Sequence, residues 1–330
     1  MNAVAPDGRT RHYGAFYGVT PAEPGDDRPV LLVHGNCQAE SLRVVVEASD
    51  PGLRCVRIPP VHELVSEDVA PLQRLLGRCA VIVSQPVRSD YRGLPLGTAQ
   101  LARAAPRARL VMVPIVRDAR LHPYQALVRV PGAGEPPVVP YHDVRTLALA
   151  AGRTAASGPA GRAGIVEVGR RSQDELRRRE AEHGTLIASD LLAAAGAGAS
   201  HTLNHPGNPV LVGLAQRVLD SLRGIAGRNG GSGGGRAGAS DVGGGGDTGG
   251  VTAVDPGRVL LGSVLSPLHP EVLDALDLDP ADARAGWLVR GEPVDEAHVR
   301  GEQLRWYAAH PDVLVAGLRR HGAAMGALGL

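Results

Sequence analysis

A cysteine stands where an apolar run changes abruptly into a helix-like pattern. The run at 30–34 ends in Gly35, Asn36, Cys37 and Gln38. A thiol at the start of a helix ionises readily and can accept an acyl group, and neighbouring amides can donate to a developing oxyanion. Gly35 would permit the tight turn. The alternative is that Cys37 only fills space at a packed corner.

A second polar group lies in "SHTLNHPGNPVL" at 200–211. His201, Asn204 and His205 fall in a turn that leads into a helix, for which Asn208 is a suitable N-cap and Pro209 a suitable first residue. Such a histidine could act as a general base in a cleft, although a His-Pro turn can equally satisfy loop backbone. The two histidines precede a proline in a turn and have no acid beside them, so no metal is expected here.

The third group is "SQPVRSDYRGLPLGT", which follows a predicted strand. Gln85, Arg88, Tyr91 and Arg92 would gather at the carboxyl end of that strand, where α/β proteins bind ligands. Arginines at such a place suit phosphate groups. A solvated loop with exposed arginines is the alternative.

Four short, nearly continuous apolar runs would position these groups. They are "PVLLVHG" at 29–35, "LRCVRIP" at 53–59, "CAVIVSQ" at 79–85 and "RLVMVPI" at 109–115. Continuous runs are typical of parallel strands buried on both faces, and helix-like segments at Ala39–Glu47 and Val69–Leu76 separate them. The pattern predicts a parallel, doubly wound α/β fold of the SGNH or Rossmann-like kind, with a mainly helical carboxyl-terminal half packed on it.

The domain prediction follows changes in composition along the chain. A helix is expected in "RSQDELRRREAEHG", with Ser172 and Glu175 as a capping box and Gly184 at its end. The Gly-rich stretch is too poor in apolar groups to fold by itself. The predicted segments are a flexible segment at 1–27, an α/β domain at 28–146, a helical part at 147–226, a Gly-rich disordered loop at 227–252 and a helical carboxyl-terminal part at 253–330.

Composition limits the classes of partner. The 35 basic and 34 acidic residues leave a formal charge of +1, which gives no field for binding nucleic acid. No window approaches the roughly 18 apolar residues of a membrane span, and the first residues lack a signal-peptide pattern, so a cytoplasmic location is expected. The spacing of Cys37, Cys55 and Cys79 fits neither a disulfide framework nor a metal site. Cys55 and Cys79 are expected to be buried packing residues.

Several motifs together resemble the WcbI family of polysaccharide-biosynthesis, acetyltransferase-like proteins. They are "HGNCQ", "PPVHEL" at 59–64, "SQPVRSDYRGLPLGT", "LHPYQ" at 121–125, "PYHD" at 140–143, "HTLNHPGNPVL" and "LRWYAAHPDVL". The resemblance runs from about Pro29 to Val315, and the Gly-rich insert departs from it. It implies a coenzyme A binding protein that transfers an acyl group to a sugar hydroxyl. Cys37 and Gln38 would then line the thioester end, and His205 would be the base.

The sequence and this resemblance predict a coenzyme A-dependent acyltransferase, with acetyl-CoA and a glycan or glycosylated acceptor as substrates. Either Cys37 forms an acyl-enzyme, or His205 activates an acceptor that attacks acyl-CoA directly while Asn36 and Gln38 stabilise the oxyanion. Gly35, Gln85, Arg88, Tyr91, Arg92 and Asn204 are the predicted coenzyme-binding residues. The corner also resembles the nucleophile turn of SGNH esterases, so an esterase or thioesterase with a cysteine nucleophile is an alternative. A non-catalytic coenzyme A or nucleotide-binding protein is another.

Overall fold

The four apolar runs form one parallel sheet in the computed structural model, which describes residues 7–21, 24–153, 160–223 and 251–330. The strands are β1 (Val30–His34), β2 (Arg54–Val56), β3 (Cys79–Ser84) and β4 (Arg109–Met112), in the order β2-β1-β3-β4. All five residues of β1 are buried, as expected for a strand covered on both faces. Strand β2 lies on one side of β1, and β3, the next strand along the chain, lies on the other side, so the direction of winding reverses at β1. This reversal confirms the doubly wound α/β prediction.

Two units, each discontinuous in sequence, divide the described residues. The first takes its residues from Met1–Val113 and Leu211–Gly257, and the second from Pro114–Val210 and Arg258–Leu330. The sequence-based segments change at 146, 226 and 252 instead. Composition along a chain shows where its character changes, whereas these units depend on which distant segments pack together.

The described helices before Val113 are α1 (Gly8–His12), α2 (Gly14–Tyr17), α3 (Cys37–Ala48), α4 (Val69–Leu76) and α5 (Thr98–Ala104), all in the first unit. The bounds of α4 are those predicted from its apolar spacing, and Leu72, Leu75 and Leu76 are buried. Helix α3 begins two residues before the predicted Ala39 because Asn36 caps it there.

Within the predicted flexible segment, residues 8–12 and 14–17 are helical and packed. Phe16 is buried in the core of the first unit. Arg9 and Tyr17 both donate to the carboxylate of Asp68, at 2.7 Å each, and that residue is buried. These contacts hold α1 and α2 against the start of α4, and they link residues too far apart in sequence for a local pattern to reveal.

The second unit combines helices with small antiparallel sheets. Its strands are β5 (Gln125–Ala126) with β6 (His142–Asp143), β7 (Ser200–Thr202) with β8 (His205–Pro206), and β9 (Val264–Leu265), β10 (Trp287–Val289) and β11 (Glu292–Val294) in the order β11-β10-β9. Its helices are α6 (Val144–Ala150), α7 (Arg162–His183), α8 (Ser189–Ala194), α10 (Pro270–Ala275), α11 (Glu296–Ala309) and α12 (Pro311–Ala327), while α9 (Asn208–Ser221) continues into the first unit. The mainly helical character agrees with the prediction.

Helix α7 begins at Arg162, so the predicted capping box at Ser172 is wrong. Its first turns bury Ile165 and Val168 and thereby extend the helix well upstream of the polar run. Ser172 instead accepts a hydrogen bond from the Ala119 amide at 3.0 Å. The predicted end is confirmed, because Gly184 takes the left-handed conformation there with φ 59°.

Two sequence-based expectations concern other stretches. Most of the predicted Gly-rich disordered loop at 227–252 lies outside the described residues. Among the helices of the described ranges, none is long and apolar enough to cross a membrane.

Candidate active site

The corner between β1 and α3 is built by its own polar residues. Asn36 has extended backbone, and its Oδ1 accepts a hydrogen bond from the Gln38 amide at 2.9 Å. Cys37 is therefore the first residue of α3 and is half-buried. The thiol stands at the carboxyl end of the strand around which the sheet reverses, the place where open α/β sheets bind ligands.

Gln85 ties this corner to the end of β3. It is buried, its Oε1 accepts from the Asn36 amide at 2.9 Å, and its Nε2 donates to Gln38 Oε1 at 3.4 Å. Gly35 is required by this close approach, because an added Cβ would lie 2.3 Å from Gln85 Oε1. The structure thus brings Gly35, Asn36, Gln38 and Gln85 together beside Cys37.

The hydrogen bonds of this corner involve the backbone N–H groups of Asn36 and Gln38. The sequence predicts that Asn36, Gln38 and backbone amides at the helix start stabilise a substrate oxyanion. Both of these backbone N–H groups already donate to side chains of the corner. These hydrogen bonds fix the shape of the corner and occupy the backbone N–H groups of Asn36 and Gln38.

His34, directly before the corner, is structural. Burial lowers the pKa of this fully buried imidazole to about 4, so it is neutral near pH 7. Its Nε2 donates to the Leu96 carbonyl at 2.9 Å. This bond ties β1 to the segment that leads into α5.

The other two cysteines lie in strands, Cys55 in β2 and Cys79 in β3. Burial raises the pKa of each thiol to about 12. A thiol that stays protonated near neutral pH is a poor nucleophile. The raised pKa values therefore favour a packing role for Cys55 and Cys79.

The predicted phosphate-binding loop follows β3 and folds back on α5. An added Cβ on Gly97 would lie 2.6 Å from Ser89 Cα, so this glycine allows the two backbone segments to touch. Arg88 and Arg92 are exposed on the loop, and Arg92 donates to the His62 carbonyl. Tyr91 is partly buried and packs against the core of the first unit. Two exposed arginines on a loop that is held by these contacts are suited to bind phosphate.

Asn204 and His205 belong to the second unit, in the hairpin of β7 and β8. Tyr141 donates to Asn204 Oδ1 at 2.9 Å, and its ring lies edge-on to His205 with the ring centroids 6.2 Å apart. Burial, with a smaller effect of the neighbouring His201, lowers the pKa of His205 to about 4. The imidazole is therefore neutral near pH 7, the form in which it can accept a proton.

A charged cleft in the second unit was not predicted from the sequence. Arg145 donates to Asp143 and to Glu296, and its guanidinium lies 4.1 Å from the centroid of the Tyr124 ring. Asp143 lies in the motif "PYHD", for which the sequence predicted no charged cleft. Glu296 is about 150 residues away in sequence, so no spacing could have paired it with Arg145.

No cluster of three or more metal-ligating side chains occurs within the described ranges.

The fold and the corner define a class: a doubly wound α/β protein with a cysteine at the switch point of its sheet, framed by glutamine and asparagine amides. The sequence profile of the family described as polysaccharide biosynthesis enzyme WcbI matches residues 30–225, more than half of the chain. The chain belongs to this family. The prediction from the motifs is confirmed.

A solved structure of WcbI, described as a novel polysaccharide biosynthesis enzyme, has the same fold. It matches with a TM-score of 0.70 and 18% sequence identity, covering 92% of this chain and 98% of the other. That structure is described as the native protein without a disulfide bond between coenzyme A and one of its cysteines. No curated protein matches the chain.

Proposed function

We propose that this protein binds coenzyme A at the corner of β1 and α3 and transfers an acyl group, most simply acetyl, from acyl-CoA to a sugar hydroxyl in polysaccharide biosynthesis. The observation that carries the proposal is the placement of Cys37 at the switch point within the amide network of Asn36, Gln38 and Gln85. Membership of a family of polysaccharide biosynthesis enzymes supports the pathway. The solved WcbI structure supports the coenzyme, because its description names coenzyme A beside a cysteine, without a disulfide bond between them.

Bound acyl-CoA would have its thioester at Cys37 and its phosphates near Arg88 and Arg92. Both arginines are exposed on the loop that follows β3, the strand that also carries Gln85 at its end. Guanidinium groups bind phosphate through paired N–H donors. Tyr91, partly buried in the same loop, would help to fix its shape.

In the covalent route, the Cys37 thiolate attacks the thioester carbonyl and forms a new bond from Sγ to carbon. The bond to the coenzyme sulfur breaks, and the coenzyme leaves as a thiolate that takes up a proton. An acceptor hydroxyl then attacks the acyl carbon, loses its proton to a base and releases Cys37. The side-chain amides of Asn36 and Gln38 would donate to the oxyanion of each step.

In the direct route, the acceptor hydroxyl attacks acyl-CoA without an acyl-enzyme. His205 remains the proposed base in both routes: its imidazole is neutral near pH 7 and can accept a proton, although a pKa lowered to about 4 makes it a weaker base than an ordinary histidine. Asn204 remains a predicted coenzyme-binding residue.

Calorimetry tests whether the protein binds coenzyme A and whether Arg88 contacts its 3′-phosphate. Calorimetric titration with coenzyme A and with dephospho-coenzyme A is expected to show binding that weakens without the 3′-phosphate. Arg88→Ala is expected to remove this difference, whereas Arg74→Ala, on an exposed face of α4, serves as the matched control. Absence of any coenzyme A binding by the folded protein would overturn the proposal.

Intact-mass measurement after mixing with acetyl-CoA tests the route. The covalent route predicts one added acetyl group on the native protein and none on Cys37→Ala, which should still bind the coenzyme. In Cys37→Ser, turnover by the covalent route should fall at least about a hundredfold, since an unactivated serine is a far weaker nucleophile. Full turnover in Cys37→Ser would leave only the direct route, and thiol release without an acceptor would indicate a hydrolase.

A further inference from the structure

The second unit contains four arginines that come from four separate segments. Arg117 lies between β4 and β5, Arg129 follows β5, Arg179 lies on α7 and Arg320 lies on α12. These four residues form the arginine cluster. They lie outside the motifs that carry the family resemblance and apart from the corner at Cys37.

The segment before β5 runs along α7. An added Cβ on Gly169 would lie 2.9 Å from Arg120 Cγ, and the Ala119 amide donates to Ser172 Oγ at 3.0 Å. A step back along this segment, from 120 to 119, therefore moves the contact toward the carboxyl end of α7. Two residues further back, Arg117 lies beside the later turns of the helix.

Helix α12 lies antiparallel to α7 and brings Arg320 to the same turns. Gly164, near the start of α7, lies against the Ala327 carbonyl near the end of α12. Further along α7, Arg171 donates to the Ala323 carbonyl at 3.5 Å. One more turn back along α12 reaches Arg320, which therefore lies beside the later turns of α7 as well.

The chain that follows β5 also packs on α12. His321 Nε2 donates to the Leu127 carbonyl at 3.4 Å, which fixes the backbone just before Arg129 against the turn that carries Arg320. On α7, Arg179 is seven residues after Ser172 and on the same face of the helix, the face that contacts the segment of Arg117. The four segments thus converge at one place.

The charges of the arginine cluster are not balanced by carboxylates. Arg179 donates to Glu175 at 2.6 Å, and a neighbouring arginine of α7 shares that carboxylate. Within the described parts of the chain, Arg117, Arg129 and Arg320 have no ion pair with a carboxylate. The cluster therefore has an excess of positive charge.

Arg117 holds part of this charge away from water. Its side chain is half-buried, and its Nε is buried without a hydrogen-bond partner among the described residues. Burial, with the charges of the other three arginines, lowers the pKa of Arg117, and Glu175 has a smaller opposing effect. A guanidinium remains protonated in proteins, so loss of a proton does not relieve the repulsion. A buried donor without an acceptor, among like charges, calls for an anion with several oxygen acceptors.

We propose that the arginine cluster binds the diphosphate group of a substrate. Arg117 would donate from the floor of the site, and the exposed guanidinium groups of Arg129 and Arg320 would donate from its rim. Adjoining phosphates offer enough charge and acceptors for several guanidinium groups, whereas a single carboxylate pairs with one. Coenzyme A and an activated sugar both contain a diphosphate. That the ligand is one of these two substrates rests on the proposed function, whereas binding of the anion does not.

Calorimetric titration with inorganic pyrophosphate, at constant ionic strength, tests the site. Arg88 and Arg92 are first replaced by alanine, so that the loop after β3 does not contribute. Saturable binding is expected, and Arg320→Gln should weaken it at least about tenfold, because one pair of charge-assisted hydrogen bonds is lost. Arg319→Gln is the matched control, an exposed arginine next to Arg320 on α12. It should leave the affinity unaltered.

Thermal unfolding of Arg117→Met tests the burial argument. Methionine is similar in length and removes the charge, so the Tm in buffer free of multivalent anions should rise above that of the native protein. Pyrophosphate should then raise the Tm of the variant less than that of the native protein, because ligand binding to the folded state is weakened. A merely structural role for Arg117 predicts the reverse in the free protein, a lower Tm. Should this variant fail to fold, Arg320→Gln still tests the site.

The source of the diphosphate is identified by titrating coenzyme A and uridine diphosphate glucose separately into Arg320→Gln and Arg319→Gln. The substrate that is weakened only in Arg320→Gln carries the diphosphate that binds here. If neither substrate is weakened while pyrophosphate binding is, the assignment to a substrate is wrong.

The remaining outcomes overturn the anion site itself. Absence of saturable pyrophosphate binding would do so, and equal weakening in Arg319→Gln would reduce the effect to general attraction by surface charge. If either substrate binds through Arg320 and no acyl transfer is found, the proposed function fails while the site stands.

Discussion

The corner of the first unit and the cleft of the second are built in opposite ways. The corner uses uncharged amides of Asn36 and Gln38 and the side-chain amide of Gln85, which follows the neighbouring strand. The cleft uses paired charges from segments about 150 residues apart, such as Arg145 and Glu296. A site made by one turn of a parallel sheet leaves a readable motif, whereas a site assembled by distant segments leaves isolated residues.

The two units also differ in their buried histidines. In the first, burial lowers the pKa of His34. In the second, burial lowers the pKa of six: His122, His142, His201, His205, His269 and His321. The second unit should therefore be the more sensitive to acid.

The largest expected effect is this loss of stability at low pH. A histidine whose folded pKa lies below the ordinary 6.5 contributes fully to stability above pH 6.5, because both states are then neutral. As the pH falls toward 4, the unfolded chain takes up protons that the folded chain excludes. A shift to about 4 costs roughly 3 kcal/mol per histidine once the pH falls below 4.

Hydrogen exchange measured peptide by peptide from pH 7 to 4.5, corrected for the intrinsic exchange rate, checks this prediction. Peptides of α6, α11 and the β7–β8 hairpin should lose protection at higher pH than those of β1 and β3. Simultaneous loss in both units would contradict the difference between them. His122→Asn should shift the second unit's transition to lower pH if the variant folds.

A smaller effect is expected from Gly35→Ala. The added Cβ would lie 2.3 Å from Gln85 Oε1 and displace the side chain that accepts from Asn36. Overpacking of this kind should lower the free energy of unfolding by about 2 kcal/mol. Urea denaturation gives the stability, and calorimetry with coenzyme A should show weaker binding.

Gly77→Ala is the matched control for that variant. Its Cβ would be 3.6 Å from the nearest atom, and its backbone has φ −61°, which alanine adopts without strain. Its stability should stay within about 0.5 kcal/mol of the native value. Unaltered coenzyme binding in Gly35→Ala would show that the amide network does not shape the binding site.

The smallest effect compares two helix caps. Asn36 caps α3 and Asp295 caps α11, where its Oδ1 accepts from the Ala297 amide at 2.7 Å. Asn36→Ala and Asp295→Ala should each lower the free energy of unfolding by about 1 kcal/mol. Only Asn36→Ala should also impair acyl transfer, as measured by release of free coenzyme A. Equal rates of coenzyme A release by the two variants would show that Asn36 acts only as a helix cap.

Much of the first unit was predictable because its signals are local. Continuous apolar runs gave the four strands, helical spacing gave the bounds of α4, and the motif around Cys37 gave the corner. The start of α7 was not predictable from Ser172, because burial of Ile165 and Val168 overrode the capping signal. The helical amino-terminal segment depends on Asp68, more than 50 residues away.

The sequence alone determined the doubly wound sheet, the place of Cys37 at its switch point and, through its motifs, the family. These follow from periodicity and from turns formed by neighbouring residues. Tertiary structure alone decided that Gln85 accepts from the Asn36 amide and donates to Gln38, and that Arg145 pairs with Glu296. The reason is physical: burial and hydrogen-bond pairing depend on which distant segments meet.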